Sequence, residues 1–138
     1  MIKAIIFDFY GVLNEEMNPN QRLLAYIKTA LKPKYKLGII SNAVDDFMYQ
    51  IVEEAMLREI FDGIVVSHQV GVAKPEAAVY QKSLQNLGVR AEEAVFIDDT
   101  EVFCQAARAV GMKAIYYQNF EQMKKELENL LNGAGSNN

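Results

Sequence analysis

The stretch Ile5-Ile6-Phe7-Asp8-Phe9-Tyr10-Gly11-Val12-Leu13 decides the fold, because an apolar run typical of a β-strand leads directly into a carboxylate. Gly11 follows three residues after Asp8 and lets the backbone turn sharply away from the strand. Ligands of open α/β sheets bind beyond the carboxyl ends of the strands, which is where this pattern places Asp8. Asp8 is therefore a candidate functional residue, and the alternative is an aspartate that caps a turn.

Composition and charge limit the classes of function. The chain has 138 residues, of which 51% are hydrophobic and 23% charged, as is typical of one globular domain. Its net charge of -4 offers no basic face to nucleic acid or to a membrane surface. No apolar run reaches the ~18 residues of a membrane span, and Asp8 interrupts the N-terminal run before it could act as a signal sequence. We expect a cytoplasmic protein that binds neither nucleic acid nor membrane.

Strand-like runs alternate with amphipathic segments of helix length. This alternation predicts an α/β protein with a three-layer, Rossmann-like fold, in which a five-stranded parallel sheet has helices on both faces. We expect a single domain over residues 1–132 and a flexible C-terminal tail over residues 133–138. The single cysteine, Cys104, cannot form an internal disulfide and is expected in the core. The predicted strands are Lys3–Phe7, Tyr35–Ile40, Gly63–Ser67, Ala94–Ile97 and Lys113–Tyr117.

Local signals predict the helix boundaries. Asn18-Pro19 predicts an N-cap followed by a proline in the first turn, and Lys32-Pro33 ends that helix. A second helix is expected after Ser41-Asn42, with Asp45 and Asp46 in its first turn. Its expected apolar stripe is Phe47, Met48, Ile51, Val52 and Ala55. The remaining helices are expected from Pro75 to Gly88, from about Glu101 to Gly111, and from Asn119 onward.

Four polar features follow predicted strands. They are Asp8, the pair Ser41-Asn42, Lys74 and the pair Asp98-Asp99. The carboxyl ends of parallel strands share one edge of the sheet, so these side chains are expected to converge. Each has a plainer interpretation when taken singly, since Ser41 could be a helix N-cap and Lys74 a solvated loop lysine. Their joint placement favours one site.

The carboxylates in this set indicate a cation. Asp98 and Asp99 would repel one another and Asp8, which raises their pKa values unless a cation intervenes. Mg²⁺ prefers one or two carboxylates together with water and phosphate oxygens. The hydroxyl of Ser41 and the ammonium of Lys74 suit a phosphoryl group. The sequence therefore predicts an open Mg²⁺ site beside groups that bind phosphate.

These residues closely resemble, in identity and order, the four motifs of the haloacid dehalogenase-like (HAD) hydrolases. The resemblance covers essentially the whole chain. It extends to Ala106–Met112, which is similar to the stretch that follows the last motif in that family. The four motifs are Ile6-Phe7-Asp8-x-x-Gly11-Val12-Leu13, Ile39-Ile40-Ser41-Asn42, Gly71-x-x-Lys74-Pro75 and Val95-Phe96-Ile97-Asp98-Asp99.

The resemblance implies a Mg²⁺-dependent phosphatase acting on phosphate monoesters, whose substrate is a small phosphorylated metabolite or a phosphorylated macromolecule. Asp8 would be the nucleophile and would form an aspartyl-phosphate. Ser41, Asn42 and Lys74 would bind the phosphoryl group. Mg²⁺ would be held by Asp8, the Tyr10 carbonyl, Asp98 and Asp99.

Two residues depart from the family pattern. Tyr10 stands where these phosphatases usually carry an acid/base aspartate, and a phenol with a pKa of ~10 is a poor general base. Losing that function would cost ~10²–10⁴-fold in rate. The expected outcomes are a slow phosphatase, one restricted to good leaving groups, or a fold without turnover. Phe103 replaces an Asp or Asn that often supports the lysine, which predicts a looser site around Lys74.

The segment between Asp8 and Ser41 has room for one helix and a strand, so no cap domain is expected there. Asn14–Met17 is too short to enclose much. The site should be open, and a second subunit of a homo-oligomer or a large substrate would have to cover it. The lone His68 lies in the loop before Lys74, where it would either touch substrate or stay exposed.

Two other functions remain open at this point. A tyrosine at position 10 also resembles the dehalogenase branch, which needs no metal. Against that branch, Asp98 and Asp99 would repel an anionic haloacid. The second alternative is a non-catalytic or regulatory module that binds Mg²⁺ or a phosphorylated partner, which Tyr10, Phe103 and the missing cap favour.

Overall fold

The computed structural model describes residues 1–133, and strands and helices alternate along them as the sequence predicts. The strands are β1 (Ala4–Phe7), β2 (Asn14–Glu15), β3 (Asn18–Pro19), β4 (Lys36–Ser41), β5 (Gly63–Val66), β6 (Ala94–Asp98) and β7 (Lys113–Tyr116). The helices are α1 (Gln21–Tyr26), α2 (Met48–Ile51), α3 (Glu54–Ile60), α4 (Ser67–Val70), α5 (Ala77–Leu87), α6 (Glu101–Val110) and α7 (Phe120–Leu131). The helix that begins with α1 continues as a wider, π-helical turn over Ile27–Leu31.

Five strands form one parallel sheet in the order β5-β4-β1-β6-β7. The central strand, β1, pairs on both sides, so that Ile6 lies beside Gly38 on β4 and beside Phe96 on β6. Each of the five strands lies within one residue of its predicted bounds at either end. The predicted Rossmann-like α/β fold is confirmed.

The two faces of the sheet carry separate apolar cores. Ile5 and Phe7 of β1 point to one face, where they pack with apolar residues of α1, α3 and α7. Ala4 and Ile6 point to the other face, toward α5 and α6. This alternation is the two-residue period of a strand, and covered faces explain why β1 is apolar at every position. Cys104 is free and buried, as predicted.

The start of the first helix was predicted wrongly. Asn18-Pro19 does not cap it, because these residues form β3, which pairs antiparallel with β2 in a short hairpin. The helix begins at Gln21 instead, and its N-cap is Asn20, whose side chain accepts a hydrogen bond from the Leu23 N–H. The predicted stop before Pro33 is confirmed, since the helical segment ends at Leu31.

The second predicted helix is wrong as a continuous element. Val52 has an extended backbone and separates α2 from α3, so the expected stripe is interrupted and Ala55 is exposed. The third helix starts at Ala77 rather than at Pro75. The predicted ends at Gly88 and Gly111 are confirmed. So is the Asn119 cap of α7, whose side chain accepts from the Gln122 N–H.

Between β1 and β4 the chain forms the β2–β3 hairpin and the helical segment that ends at Leu31. Within residues 1–133, no helix is both long and apolar enough to cross a bilayer. The tail predicted at 133–138 lies outside the described residues except for Gly133. A single cap-free domain over residues 1–132 stays a prediction.

Candidate active site

The carboxyl ends of three neighbouring strands bring the predicted residues to one edge of the sheet. Asp8 follows β1, Ser41 ends β4 and Asp98 ends β6. Lys74 reaches the same place from the loop between α4 and α5, and Asp99 follows Asp98. The polar features that are scattered in the sequence therefore meet next to β1, as the parallel topology requires.

Lys74 joins two buried carboxylates. Its ammonium donates to Asp8 Oδ1 at 2.7 Å and to Asp98 Oδ2 at 2.8 Å, and its side chain is only 1% exposed. The other oxygen of Asp98 accepts from the Thr100 N–H at 3.0 Å. Both oxygens of Asp98 thus have a donor, whereas Asp8 has Lys74 on one oxygen only.

The charges of this cluster are not balanced. Burial raises the pKa of Asp8 to about 7, against the opposing effect of Lys74, and the charges of Asp98 and Asp99 raise it further. Burial also raises the pKa of Asp98 above its usual range, although Lys74 and the Thr100 N–H favour its ionised form. Carboxylates here outnumber the one ammonium that contacts them, so an additional cation would stabilise their charged forms.

The donor atoms fit such a cation. Asp8, Asp98 and Asp99 each present a carboxylate oxygen, and these oxygens lie within 4.8 Å of one another. Hard divalent cations such as Mg²⁺ prefer oxygen donors of this kind. Because Lys74 and Thr100 already engage Asp98, the carboxylates of Asp8 and Asp99 are the better placed to ligate directly. Ligation by the Tyr10 carbonyl stays a prediction.

Gly11 makes room for Asp99, which is a role that the sequence did not reveal. Its φ is +87°, a conformation that favours glycine. A Cβ at this position would overlap with the Asp99 carboxylate. The turn after β1 therefore needs glycine for its backbone and also for the space that the Asp99 carboxylate occupies.

Ser41 and Asn42 are placed differently. Ser41 is fully buried, and its Oγ has no hydrogen-bond partner within residues 1–133, so the hydroxyl is free to donate to a ligand. The Asn42 amide is already engaged, because it donates to the Lys74 carbonyl and accepts from the Lys74 N–H, both at 2.9 Å. This side chain holds the backbone of Lys74, and a direct contact of Asn42 with substrate stays a prediction.

Phe103 packs against Lys74. The Lys74 ammonium lies 5.1 Å from the centre of the Phe103 ring and 5.6 Å from that of Phe96. Tyr80 donates from its hydroxyl to the Phe103 carbonyl at 2.8 Å, which anchors that end of α6. An ammonium over an aromatic face is attracted by the ring quadrupole. Aromatic rings thus surround Lys74 where the family pattern predicts a polar partner.

Tyr10 lies partly buried beside Asp8, with its ring edge-on to Phe9 at 5.1 Å between ring centres. Burial, followed by the charge of Asp45, raises its phenol pKa above the usual value. His68 lies in α4 and not in the predicted loop, and its Nε2 contacts Asp46 Oδ1 at 2.7 Å. We predict that Tyr10 takes part in catalysis from the position of the usual acid/base aspartate, and this stays a prediction.

A family model described as haloacid dehalogenase-like hydrolase matches residues 1–117. Among similar proteins, phosphoglycolate phosphatase of Aquifex aeolicus is 32% identical over 91 residues, which is 65% of this chain and 43% of that protein. Bifunctional epoxide hydrolase 2 of Sus scrofa is 34% identical over 117 residues, 82% of this chain and 21% of that protein. The chain thus spans less than half the length of either relative.

Solved structures resemble the fold over most of the chain. A protein from Corynebacterium glutamicum described as uncharacterized has a TM-score of 0.82 and 25% identity, with 94% of this chain and 95% of that chain covered. A HAD family enzyme of Bacteroides thetaiotaomicron, in complex with magnesium and inorganic phosphate, has a TM-score of 0.74. That enzyme is 16% identical, with 86% of this chain and 95% of that chain covered, and the likeness is one of fold.

Proposed function

Because the chain belongs to the haloacid dehalogenase-like hydrolase family, we propose that it is a Mg²⁺-dependent phosphatase that works through an aspartyl-phosphate on Asp8. The observation that carries this proposal is the state of the Asp8 carboxylate. Lys74 donates a hydrogen bond to one of its oxygens. The other oxygen has no hydrogen bond from Lys74, and the Asp99 carboxylate lies nearby. A carboxylate held in this way can attack phosphorus in line.

The proposed reaction has two steps. In the first, the Asp8 carboxylate forms a bond to phosphorus while the bond to the ester oxygen breaks, and that oxygen leaves with the electron pair. In the second, water attacks the aspartyl-phosphate, which releases inorganic phosphate, restores the carboxylate and gives a proton to solvent. Lys74 and the free hydroxyl of Ser41 would bind phosphoryl oxygens. A cation held by Asp8 and Asp99 would supply positive charge against these oxygens.

Several comparisons support this proposal. Relatives named as phosphatases include the Aquifex aeolicus protein and a glyceraldehyde 3-phosphate phosphatase of Pyrococcus furiosus. The Bacteroides thetaiotaomicron structure holds magnesium and phosphate together on a similar fold. The substrate, whether metabolite or macromolecule, stays a prediction, as do cytoplasmic localisation and a homo-oligomer that covers the site.

Tyr10 sets the expected speed of this enzyme. No carboxylate stands at that position to protonate the leaving oxygen or to activate water, so we propose slow turnover, lower by ~10²–10⁴-fold than with an acid/base residue. A second candidate function follows from the same residue: a module that binds metal or a phosphorylated partner without turnover. Dehalogenation is disfavoured, because the carboxylates of Asp98 and Asp99 near Asp8 would repel a haloacid anion.

The test uses 4-nitrophenyl phosphate with added Mg²⁺, with a chelator, and with the Asp8→Asn variant. We expect hydrolysis that the chelator abolishes and that Asp8→Asn lowers on the order of 10⁴–10⁶-fold. Acid quenching followed by intact-protein mass analysis should show a phosphorylated protein that Asp8→Asn lacks. Asp62→Asn is the matched control, since Asp62 lies before β5, at the opposite edge of the sheet.

The outcomes separate the candidates. Hydrolysis that survives either the chelator or Asp8→Asn contradicts the mechanism. An inactive wild-type chain that still binds Mg²⁺, and that gains turnover in Tyr10→Asp, supports the non-catalytic module instead. Metal-independent halide release from a 2-haloacid would establish dehalogenation.

A further inference from the structure

A groove of about 490 Å³ is lined by residues that follow or precede the candidate site residues in the chain. Three of its lining residues adjoin the candidate active site in the chain: Tyr10 is two residues from Asp8, Asn42 follows Ser41, and Ala73 precedes Lys74. A substrate whose phosphoryl group reaches Asp8 would therefore place its leaving group in this groove. The groove is lined by Tyr10, Asn42, Ala43, Val44, Asp45, Phe47, Ser67 and Ala73.

The wall of the groove is largely apolar and exposed. Val44 is 92% exposed, and the ring of Phe47 is also partly accessible, so both can contact a ligand. Tyr10 adds a second aromatic ring on the side of Asp8. Aromatic and aliphatic surface of this kind gains free energy by covering an apolar group, and rings favour other rings in offset or edge-on contact.

The groove is also held in shape. Ser67 Oγ accepts from the Ala43 N–H at 2.8 Å and donates to the Ala43 carbonyl at 2.9 Å. The loop after β4 is thereby tied to the start of α4. A preformed wall binds a ligand without the cost of ordering a mobile loop.

The charge of the groove excludes anions. Asp45 lines it, and Glu76 and His68 line the adjoining groove, where Asp46 lies 2.7 Å from His68. Within the described part of the chain, no lysine or arginine lines either groove. A leaving group that carries a carboxylate or a second phosphate would find no cation there and would face acidic side chains.

Tyr10 limits the leaving oxygen as well. A phenol is a far weaker acid than the carboxylic acid that it replaces, so an alkoxide would depart with less help from a proton donor. An aryl oxygen departs readily as a phenolate, because the ring delocalises its charge. The lining of the groove and the chemistry of the leaving group therefore select the same kind of substrate.

We propose that the substrates are phosphate monoesters of uncharged phenols, with the aryl group lying against Tyr10, Val44 and Phe47. This inference rests on the proposed function and names its substrate class. In the reaction, Asp8 bonds to phosphorus, the bond from phosphorus to the aryl oxygen breaks, and the phenolate takes its proton from water. Water then hydrolyses the aspartyl-phosphate to inorganic phosphate.

The first test compares kcat/KM for phenyl phosphate, glycerol 3-phosphate and 2-phosphoglycolate, all with Mg²⁺. We expect phenyl phosphate to be preferred over both by ~10²–10⁴-fold, the usual value of a missing general acid. Tyr10→Phe keeps the ring and should keep this preference. Tyr10→Asp restores an acid and should narrow the ratio between phenyl phosphate and glycerol 3-phosphate.

The second test changes the charge of the aryl group and of the groove, and measures the effect on kcat/KM. We expect 4-carboxyphenyl phosphate to be a poorer substrate than phenyl phosphate by about tenfold, which corresponds to one unfavourable contact between charges. Val44→Lys places a cation on the groove wall and should reverse that ratio. Met56→Lys is the control, because Met56 is an exposed apolar residue on α3 outside the groove, and it should leave the ratio unchanged.

The results that overturn this inference differ from those that overturn the proposed function. Equal kcat/KM for phenyl phosphate and 2-phosphoglycolate, with a phosphorylated Asp8, overturns the substrate class and leaves the mechanism intact. The substrate class is also overturned, with the mechanism intact, if Val44→Lys and Met56→Lys show the same preference between phenyl phosphate and 4-carboxyphenyl phosphate. Absence of turnover and of phosphorylated protein with every ester overturns both.

Discussion

The two edges of the parallel sheet hold ion pairs of opposite character. At the carboxyl edge, Asp8 and Asp98 share the buried ammonium of Lys74, and burial raises the pKa values of both carboxylates. At the amino edge, Glu93 pairs with Lys3 at 3.0 Å, and the Lys3 side chain is 58% exposed. There the Arg90 N–H, followed by Lys3, lowers the pKa of Glu93 to about 2.

The difference shows that its partners and neighbouring charges, and not burial alone, decide the charge of a carboxylate. Glu93 is also largely buried, with 11% of its side chain exposed, but the Arg90 N–H and Lys3 both favour its negative charge. The carboxylates around Lys74 have lost water, and one ammonium does not fully compensate them. At the amino edge one carboxylate, Glu93, has both Lys3 and Arg90 as cationic partners. At the carboxyl edge three carboxylates lie together and the ammonium of Lys74 pairs with two of them, an imbalance that a metal cation would relieve.

Removing Lys74 should have the largest effect, because it leaves the two buried carboxylates at the carboxyl edge without their cation. Lys74→Ala leaves Asp8 and Asp98 buried without their cation, and we expect a loss of ~3–5 kcal/mol in the free energy of unfolding, measured by urea denaturation in chelator. Turnover of phenyl phosphate should fall on the order of 10²–10³-fold in the remaining folded protein. Asp98→Asn in the Lys74→Ala background should recover part of the stability. A loss below ~1 kcal/mol, the range of an exposed pair, would contradict this account.

A methyl group at Gly11 should separate backbone strain from crowding. Gly11→Ala and Gly71→Ala both place alanine at positive φ, +87° and +80°, so each should cost ~1–2 kcal/mol of stability. Only Gly11→Ala brings a Cβ against Asp99, since nothing lies within 4 Å of a Cβ at Gly71. We expect Mg²⁺ affinity, measured by calorimetry, to fall about tenfold or more for Gly11→Ala alone. Equal affinities for the two variants would show that the space at Gly11 is not needed for Asp99 to take part in metal binding.

The aromatic contact of Lys74 should contribute less. Phe103→Leu keeps an apolar side chain and removes the ring face, so we expect a loss of ~0.5–2 kcal/mol in chemical denaturation. Phe120→Leu is the counterpart, because Arg22, whose side chain is 63% exposed, lies 4.5 Å from the centre of that ring, and its loss should be smaller. If Phe103→Leu costs no more than Phe120→Leu, the ring does not help to hold Lys74.

The smallest effect should come from the amino edge. The pKa of Glu93 is lower in the folded chain than its ordinary value of 4.5, so its charge stabilises the fold above pH ~4.5 and loses that effect as pH falls toward about 2. The difference in Tm between the wild type and Glu93→Gln should therefore be present at pH 6 and vanish near pH 2. Glu92→Gln, an exposed neighbour, should change Tm little. If the difference in Tm between the wild type and Glu93→Gln instead grows as pH falls, the ionised Glu93 carboxylate does not stabilise the fold.

The sequence predicted the sheet well because buried parallel strands have continuous apolar sequences that end at polar residues or glycine. It failed where two signals competed. Asn18-Pro19 has the residue pattern of a helix start, yet it pairs with Asn14–Glu15 as a strand. Asn20 caps the helix instead. Val52 continues an apolar stripe, yet its extended backbone divides the helix.

In the candidate site, the sequence identified residues but not how they contact one another. Parallel topology was enough to place Asp8, Ser41, Lys74 and Asp98 at one edge. That both oxygens of Asp98 are engaged, that the Asn42 amide holds the Lys74 backbone, and that Asp99 fills the space above Gly11 depend on side-chain positions within a few ångströms. No pattern in a single sequence encodes those distances.

The β2–β3 hairpin also makes this fold extensible. Asn14 lies opposite Pro19, so the chain leaves the sheet region and returns to it at almost the same point, and Met17 at the tip is exposed. A segment of any length spliced into this tip would leave the strand register undisturbed, since its two ends are already joined. New specificity could be added above the nucleophile by insertion, without rebuilding the domain that does the chemistry.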